Sequence, residues 1–350
     1  MKPIAICQNK KIYDHDFLWT PRFIKYCEDN SIPFDVLDCY RSDIVNVLKS
    51  FSALVWHYQN YVISDILEAR NVIQIADNLG LVTFPSPIMN WHFDDKIAEK
   101  YAFESVNAPT PENWVFYHES DCINWLIEKA HFPLVAKLRC GSGSNNVKLL
   151  HDKNAAVKYA HRMFTSGFDP APTFFYKAYS KLQSAKDIST ILRRIKKIPQ
   201  FLITRSHAKM MGKEKGYCYF QDYVPNDGYD LKVVVVGDKM TFCARKIRKS
   251  DFRASGGGNI YYERGLLTDE IVDTAFRVAD DLKMSCVGFD FVVDNKTNTA
   301  KIIEMCYGFD YESQRDLGAY LDRSHVWHEQ PLYVPDEIIK MVVAKVENKE

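Results

Sequence analysis

Phe289-Asp290-Phe291-Val292-Val293-Asp294 and Ala300-Lys301-Ile302-Ile303-Glu304-Met305, joined by residues 295–299, read as two strands and a tight connection. Aromatic and β-branched runs on either side of a polar stretch edged by Asp and Asn are a hairpin signal. Pairing Asp294 with Ala300 sets Asp290 opposite Glu304, while alternation sends Phe289, Phe291, Val293, Ile303 and Met305 to the other face. That pair constrains the chain strongly. Carboxylates opposed on one face of a sheet repel, and each raises the other's pKa unless a cation sits between them. Two arrangements answer the repulsion: a hard divalent cation such as magnesium held by both acids, or a solvated face on which water screens them.

The remainder of the chain reads as an ordinary soluble protein. Its 350 residues, 47% apolar and 26% charged, leave room for two or three domains. Forty-five basic and 45 acidic side chains cancel, so no nucleic-acid partner is expected and any charge bias must be local. The nine cysteines are irregularly spaced without a C-x-x-C, and residues 1–7 read as a short strand rather than a secretory leader. Reduced thiols and a cytoplasmic location are the expectation. No apolar run is long enough for a transmembrane segment.

In residues 1–92, short apolar runs alternate with helical ones, which predicts a small open α/β layer with a mostly parallel sheet. Trp56-His57-Tyr58-Gln59 leave one of its strands, where they either touch a ligand or pack beneath a loop. Asp94, Asp95 and Lys96 open a helix in a second α/β segment, residues 93–218. There Pro133 to Arg139 form a strand that carries Lys137 amid apolar neighbours, and a lysine so placed needs an anion or a route to water. Gly141-Ser142-Gly143-Ser144-Asn145 follow, either a plain tight hairpin or a turn whose backbone N–H groups approach phosphate.

Residues 177–215 hold eleven Lys or Arg against two acids. Within them Ile188, Ile191, Leu192, Ile195 and Ile198 recur at helical spacing opposite Arg193, Arg194, Lys196 and Lys197. Such a basic helix either presents a solvated face or meets a polyanion or an anionic membrane surface. In the third segment, 219–350, Leu231–Val236 and Met240–Arg245 predict a second hairpin across Gly237-Asp238. A glycine-rich loop, Asp251 to Asn259, carries Arg253, and Thr268 caps a helix whose buried stripe is Ile271, Ala275, Val278 and Leu282.

Several of these pieces come in one order: Lys137 before a Gly/Ser turn, Phe220-Gln221-Asp222-Tyr223-Val224, Tyr229-Asp230-Leu231-Lys232, Arg245, Asp251-Phe252-Arg253, Gly288-Phe289-Asp290 and Ile303-Glu304. In that order they resemble the ATP-grasp superfamily, in particular glutathione synthetases and the ligases that add glutamate to ribosomal protein. The resemblance covers roughly residues 90 to 310. It implies an α/β (α+β) chain with an N-terminal open α/β pre-ATP-grasp layer, then a two-part ATP-grasp with ATP between its halves. Adenine would lie against the backbone of Gln221, Asp222, Tyr223 and Val224. Lys96 and Lys137 would meet phosphates, Gly141, Ser142, Gly143 and Ser144 would cover them, Asp230 would sit near the ribose, and Arg253 would reach the triphosphate. Asp290 and Glu304 fall on the family's carboxylates for magnesium or manganese, in agreement with the hairpin. Cys306 stands where the family commonly has Asn, and Ser255 where it has another Asn. A thiol is a poor magnesium ligand, so water, the other carboxylate or Asp310 would complete the shell.

The chemistry the resemblance implies joins a carboxylate to an amine. The carboxylate attacks the γ-phosphorus of ATP, and the amine displaces phosphate from the acyl phosphate, giving amide, ADP and phosphate. Arg245 is the candidate for holding the acyl phosphate and the oxyanion, with Arg253 on the transferring oxygens. Glu304 to Phe309 and the tail around Tyr320 and Trp327 resemble ATP-grasp proteins of surface-polysaccharide synthesis, so an acidic polysaccharide or its sugar precursor is an expected acceptor, drawn to residues 177–215. Relatives suggest a homo-oligomer. Two other classes stand beside the ligase: a grasp that binds ATP without turnover and serves as an interaction module, and a phosphotransferase.

Overall fold

Short β-branched runs separated by helices build the first of three sheets in the computed structural model, which describes residues 2–8, 19–60, 62–141, 146–169, 212–247, 252 and 259–349. β1 (Ile4–Cys7), β2 (Phe34–Leu37), β3 (Ala53–Val55) and β4 (Val82–Phe84) pair in the order β2-β1-β3-β4, all parallel. α1 (Thr20–Asp29), α2 (Ile44–Leu48) and α3 (Ile63–Asn78) provide the crossovers that parallel strands require. Both faces of β1 and β3 are buried in consequence. Trp56, His57, Tyr58 and Gln59 are at most 8% exposed, and His57 stacks on Trp19 with ring centroids 4.5 Å apart. Packing, not ligand contact, is therefore what occupies these side chains.

After α4 (Pro87–Trp91) and α5 (Lys96–Ser105), the second sheet is formed by β5 (Asn113–Phe116), β6 (Leu134–Lys137), β7 (Lys148–Leu150) and β8 (Cys218–Asp222), antiparallel in the order β5-β8-β6-β7. α6 (Glu119–Glu128) and α7 (Lys153–Phe164) close a core of their own around Leu126, Ala136, Tyr159, Met163 and Phe220. The boundary expected after residue 218 falls inside β8. Most of the basic segment 177–215, its helical stretch included, lies outside the described residues.

The third sheet is antiparallel. β9 (Tyr229–Val236) and β10 (Lys239–Lys246) form the predicted hairpin across Gly237, whose φ of +60° suits a glycine in the turn. β11 (Ile260–Tyr261), β12 (Cys286–Val293), β13 (Ala300–Cys306), β14 (Tyr320–Asp322) and β15 (Trp327–His328) complete it, in the order β13-β12-β9-β10-β14-β15 with β11 on β10. α8 (Asp269–Asp281) starts where Thr268 Oγ1 accepts from the Ile271 N–H, and it buries Ile271, Ala275 and Val278 as its pattern predicts. α9 (Tyr311–Arg315) and α10 (Val334–Glu347) follow, and α10 returns to pack on α1 and β4. There Arg22 grips Asp336 with two hydrogen bonds of 2.6 and 2.5 Å. One apolar core thus joins the first and third sheets, while the second keeps its own. Among the described residues no helix is long and apolar enough to cross a membrane.

Candidate active site

Asp290 does lie opposite Glu304, but by a different route from the register expected. Asp294 donates its N–H to Thr299 rather than pairing with Ala300, and Phe291 sits across from Ile302. A β-bulge between these pairs and Asp290 leaves Ile303 as the extra residue and restores the opposed acids. The bulge also corrects the expected core face. Ile302 is fully buried, whereas Ile303 faces the cleft. Freed from the ladder, the Ile303 carbonyl accepts from Lys137 Nζ at 3.0 Å, which ties the second sheet to the third.

The cation that answers Asp290 comes from β9, its other neighbour in the sheet. Lys232 is the residue directly opposite, with Nζ 2.8 Å from Asp290 Oδ1 and 3.2 Å from the Gly288 carbonyl. Arg245 Nη2 stands 2.9 Å from Asp290 Oδ2. Against the cost of burial, Arg245 and Lys232 hold the Asp290 carboxyl down to about 2. Arg245 also forks onto Asp230 through two bonds of 2.7 Å. Burial pushes Asp230 up to about 6 even so, with Arg245 pulling the other way. Two cations and two carboxylates close a compact quartet. Asp230, expected near the ribose, lines the cleft and holds Arg245, and the Arg245 guanidinium is committed to carboxylates on two sides.

A second cluster stands beside Glu304. Lys96 Nζ donates to the Gly141 carbonyl at 2.9 Å and lies 3.6 Å from Glu304 Oε1. Burial works against its charge, but Glu304, Glu99 and Asp94 together hold it above the ordinary lysine value. For Lys137 burial wins over Glu304, and it falls to about 8. Glu99, absent from the sequence-derived set, is buried on α5 and accepts from the Met305 N–H at 3.1 Å. Burial and then Glu304 push it up to about 8. Its place on the helix that Lys96 opens, three residues on and so on the same face, was the available signal.

Gln221, Asp222, Tyr223 and Val224 leave β8 along one wall of a cleft. Lys137, Tyr229, Asp230, Phe252, Asp290, Ile303 and Glu304 also line it. The structure thus brings together nearly all of the described candidates: Gln221 to Val224, Lys137, Asp230, Asp290 and Glu304 line one cleft, and Lys96 and Arg245 are paired with its acids. Ser142, Gly143, Ser144 and Arg253 lie outside the described residues, as does Ser255.

Among the described residues no group of three His, Cys, Asp or Glu side chains is placed to hold a metal ion. Asp310, one of the alternatives for completing the shell, caps α9 and accepts from Ser313 Oγ. Cys306 Sγ exchanges hydrogen bonds with Gly308, at 3.1 Å to its carbonyl and 3.2 Å from its N–H, and burial pushes the thiol up to about 12. Asp290 and Glu304 suit one hard cation arriving with phosphate oxygens, since magnesium is commonly held by one or two carboxylates plus a phosphorylated substrate. They do not make an all-protein cage, and Cys306 does not fit a second ion.

No family model and no curated protein matches the sequence. Solved structures match along the whole chain. D-alanine–D-alanine ligase from Bacillus anthracis is 12% identical with a TM-score of 0.59, covering 100% of both chains. A RimK domain protein ATP-grasp from Sphaerobacter thermophilus is 12% identical at 0.54, over 97% of this chain and 99% of that one. The ATP-grasp ligase PsnB, complexed with a variant of its minimal precursor, Mg and ADP, is 12% identical at 0.56 over 98% of each.

Proposed function

On a chain that carries the ATP-grasp fold, we propose an ATP-dependent ligase that joins a carboxylate to an amine through an acyl phosphate. The observation that carries this reading is the cleft itself. Gln221 to Val224 line it together with Lys137 and the Asp290–Glu304 pair, which come from two different sheets. In this reading adenine lies against the strand-end segment and the triphosphate beside Lys137.

The first step brings anion to anion, so its demand is electrostatic. Lys137, nearly dry and bonded only to a carbonyl, is the cation best placed to turn toward a phosphate oxygen. Lys96 is held in place by Gly141 and Glu304 and supplies fixed positive charge. Asp290 and Glu304 are the residues that would hold magnesium, which supplies charge neutralisation for the phosphates. Arg245 keeps Asp230 and Asp290 in register, and in this reading its positive charge serves the acyl phosphate from that fixed position. The role of Arg253 on the triphosphate, and of residues 142–144 above it, belongs to the same proposal. So do the three-domain division, an acidic polysaccharide acceptor at residues 177–215, a cytoplasmic location and a homo-oligomer.

One observation favours a second reading. With Cys306 Sγ committed to Gly308 and Asp290 already ion-paired, a nucleotide could be held without turnover. ADP release separates the two. The purified protein with magnesium and ATP is challenged with carboxylates (amino acids, short peptides, uronic acids, acidic polysaccharide) crossed with amines. Release that requires one carboxylate and rises with one amine supports the ligase. ATP binding with silence across the panel supports the binder, and release indifferent to amine supports a phosphotransferase.

A further inference from the structure

Asp94 has no task in capping α5. Asp95 does that, accepting from the Ile97 and Ala98 N–H groups. Asp94 instead adopts a left-handed backbone with φ +55°, a conformation that costs a non-glycine residue about 1 kcal/mol. Its Oδ1 accepts from two separate parts of the chain: the Gly141 N–H at 2.9 Å and Asn60 Nδ2 at 3.2 Å.

Each of those partners matters by position. Gly141 follows β6, the strand that ends in Lys137, and its carbonyl receives Lys96 Nζ at 2.9 Å. The two peptide groups that meet at Gly141 are therefore gripped in turn, the first through its N–H by an acid and the next through its C=O by a cation. The Lys96 N–H also donates to the Arg139 carbonyl at 3.0 Å, so the same stretch of chain is docked twice on the start of α5. Asn60 leaves β3 at the carboxyl end of the parallel sheet, the edge where ligands of such layers bind. A single carboxylate oxygen thus spans from that edge to the backbone that holds Lys96.

We propose that Asp94 is a positioning residue that fixes the backbone at Gly141, and through it Lys96, for a polyphosphate and ties both to Asn60 at the carboxyl edge of the first sheet. It rests on the nucleotide reading above and adds a route by which the first layer bears on phosphate binding. Asp94 touches no reacting atom. Its contribution is to anchor the chain at the Gly141 N–H and so to hold the adjoining Gly141 carbonyl where it keeps Lys96 aimed, which an isolated lysine of four rotatable bonds would not achieve. Ligands that lack phosphates should not sense it.

The test compares Mg·AMP-PNP and adenosine binding to the full chain by calorimetry, with thermal denaturation as the control for folding. Asp94→Ala should weaken Mg·AMP-PNP by about tenfold or more, the scale of a lost charge-assisted hydrogen bond, and leave adenosine within about twofold. Asp94→Asn retains the shape and an acceptor while removing the charge, and should lose about threefold. Asn60→Ala, which touches neither Gly141 nor Lys96, should lose a similar factor for Mg·AMP-PNP alone. Unchanged Mg·AMP-PNP affinity in Asp94→Ala or, should that variant misfold, in Asp94→Asn overturns the proposal. Equal losses for both ligands, following a fall in Tm, assign Asp94 a merely structural role and overturn it too. An unaffected Asn60→Ala removes the link to the first sheet. A wild-type protein that binds neither ligand refutes the nucleotide reading itself.

Discussion

Replacing Asp290 by Asn separates its two duties, because the change should act in opposite directions on two measurements. In the folded chain the carboxylate meets Lys232 at 2.8 Å and Arg245 at 2.9 Å, with only 9% of its side chain exposed. An amide of the same shape can offer its oxygen to one of these donors, and must then turn its NH₂ on the other. Breaking a buried pair by neutralising one partner costs about 3–5 kcal/mol, since a cation is left without compensation. With an unfolding entropy near 2.1 cal/mol/K per residue, this becomes a fall in Tm of roughly 4–7 °C for a cooperative transition of this length. Nucleotide binding should respond with the other sign. The quartet of Asp230, Asp290, Lys232 and Arg245 loses one negative charge, so a phosphate about 5–6 Å away gains attraction of roughly 1.4–3.3 kcal/mol, tenfold or more in affinity, at an effective dielectric constant of 20–40. ATP in EDTA should therefore bind more tightly to Asp290→Asn than to wild type. Magnesium, which has lost a ligand, should no longer improve binding. Isothermal titration with and without magnesium, alongside differential scanning calorimetry, reads all three quantities. Weaker ATP binding in EDTA together with an intact magnesium response would refute the reasoning, because Asp290 would then be neither the counter-charge nor the metal carboxylate.

Three further changes probe neighbouring parts of the site. Lys137→Met should lower ATP turnover by about a hundredfold, the scale of one preorganised charge stabiliser, and near-normal ADP release would remove Lys137 from the chemistry. Stability should pass through a minimum near pH 8 because two groups act in opposite directions. Glu99, held up to about 8, stabilises the fold at low pH, and that benefit is lost as pH rises through its folded value. Lys137, lowered to about 8, binds its proton less readily folded than unfolded, so stability recovers as pH rises from there toward the ordinary lysine range. Glu99→Gln should flatten the first limb and Lys137→Met the second in urea midpoints measured across pH, while profiles that match wild type would show that neither group is responsible. Gly288→Ala would bring a Cβ to 2.8 Å from Lys232 Cε and 3.2 Å from its Nζ. Overpacking of about 1–3 kcal/mol and a displaced ammonium should lower Tm, and an unchanged Tm would show that Lys232 has room to yield.

The opposed acids were legible in the sequence because alternation and a short connection are local properties, and both survive into the hairpin. Their neutralisation was not legible, since Lys232 reaches Asp290 only because β9 lies beside β12, with β10 and α8 intervening in the chain. Hydrophobic pattern alone gave no such order. The same period-2 reading that placed Asp290 and Glu304 together does put Asp230 and Lys232 on one face of β9, and a lysine within Leu231 to Val236 carries the same demand for an anion as Lys137 in β6. The bulge at Ile303 was hidden for a related reason: a continuous register fits that sequence equally well, and what the extra residue provides is a free carbonyl for a lysine in another sheet. Glu99 and Asp94 were missed because each works on a backbone group distant in sequence, at Met305 or Gly141, and backbone donors leave no trace in residue type; Asn60 was missed because it acts only through Asp94. Where function rests on side chains in regular alternation, the sequence declares it. Where it rests on peptide groups held across a fold, only the folded chain does, and the two acids that hold them, Glu99 and Asp94, are the ones whose substitution distinguishes a positioned site from a merely charged one.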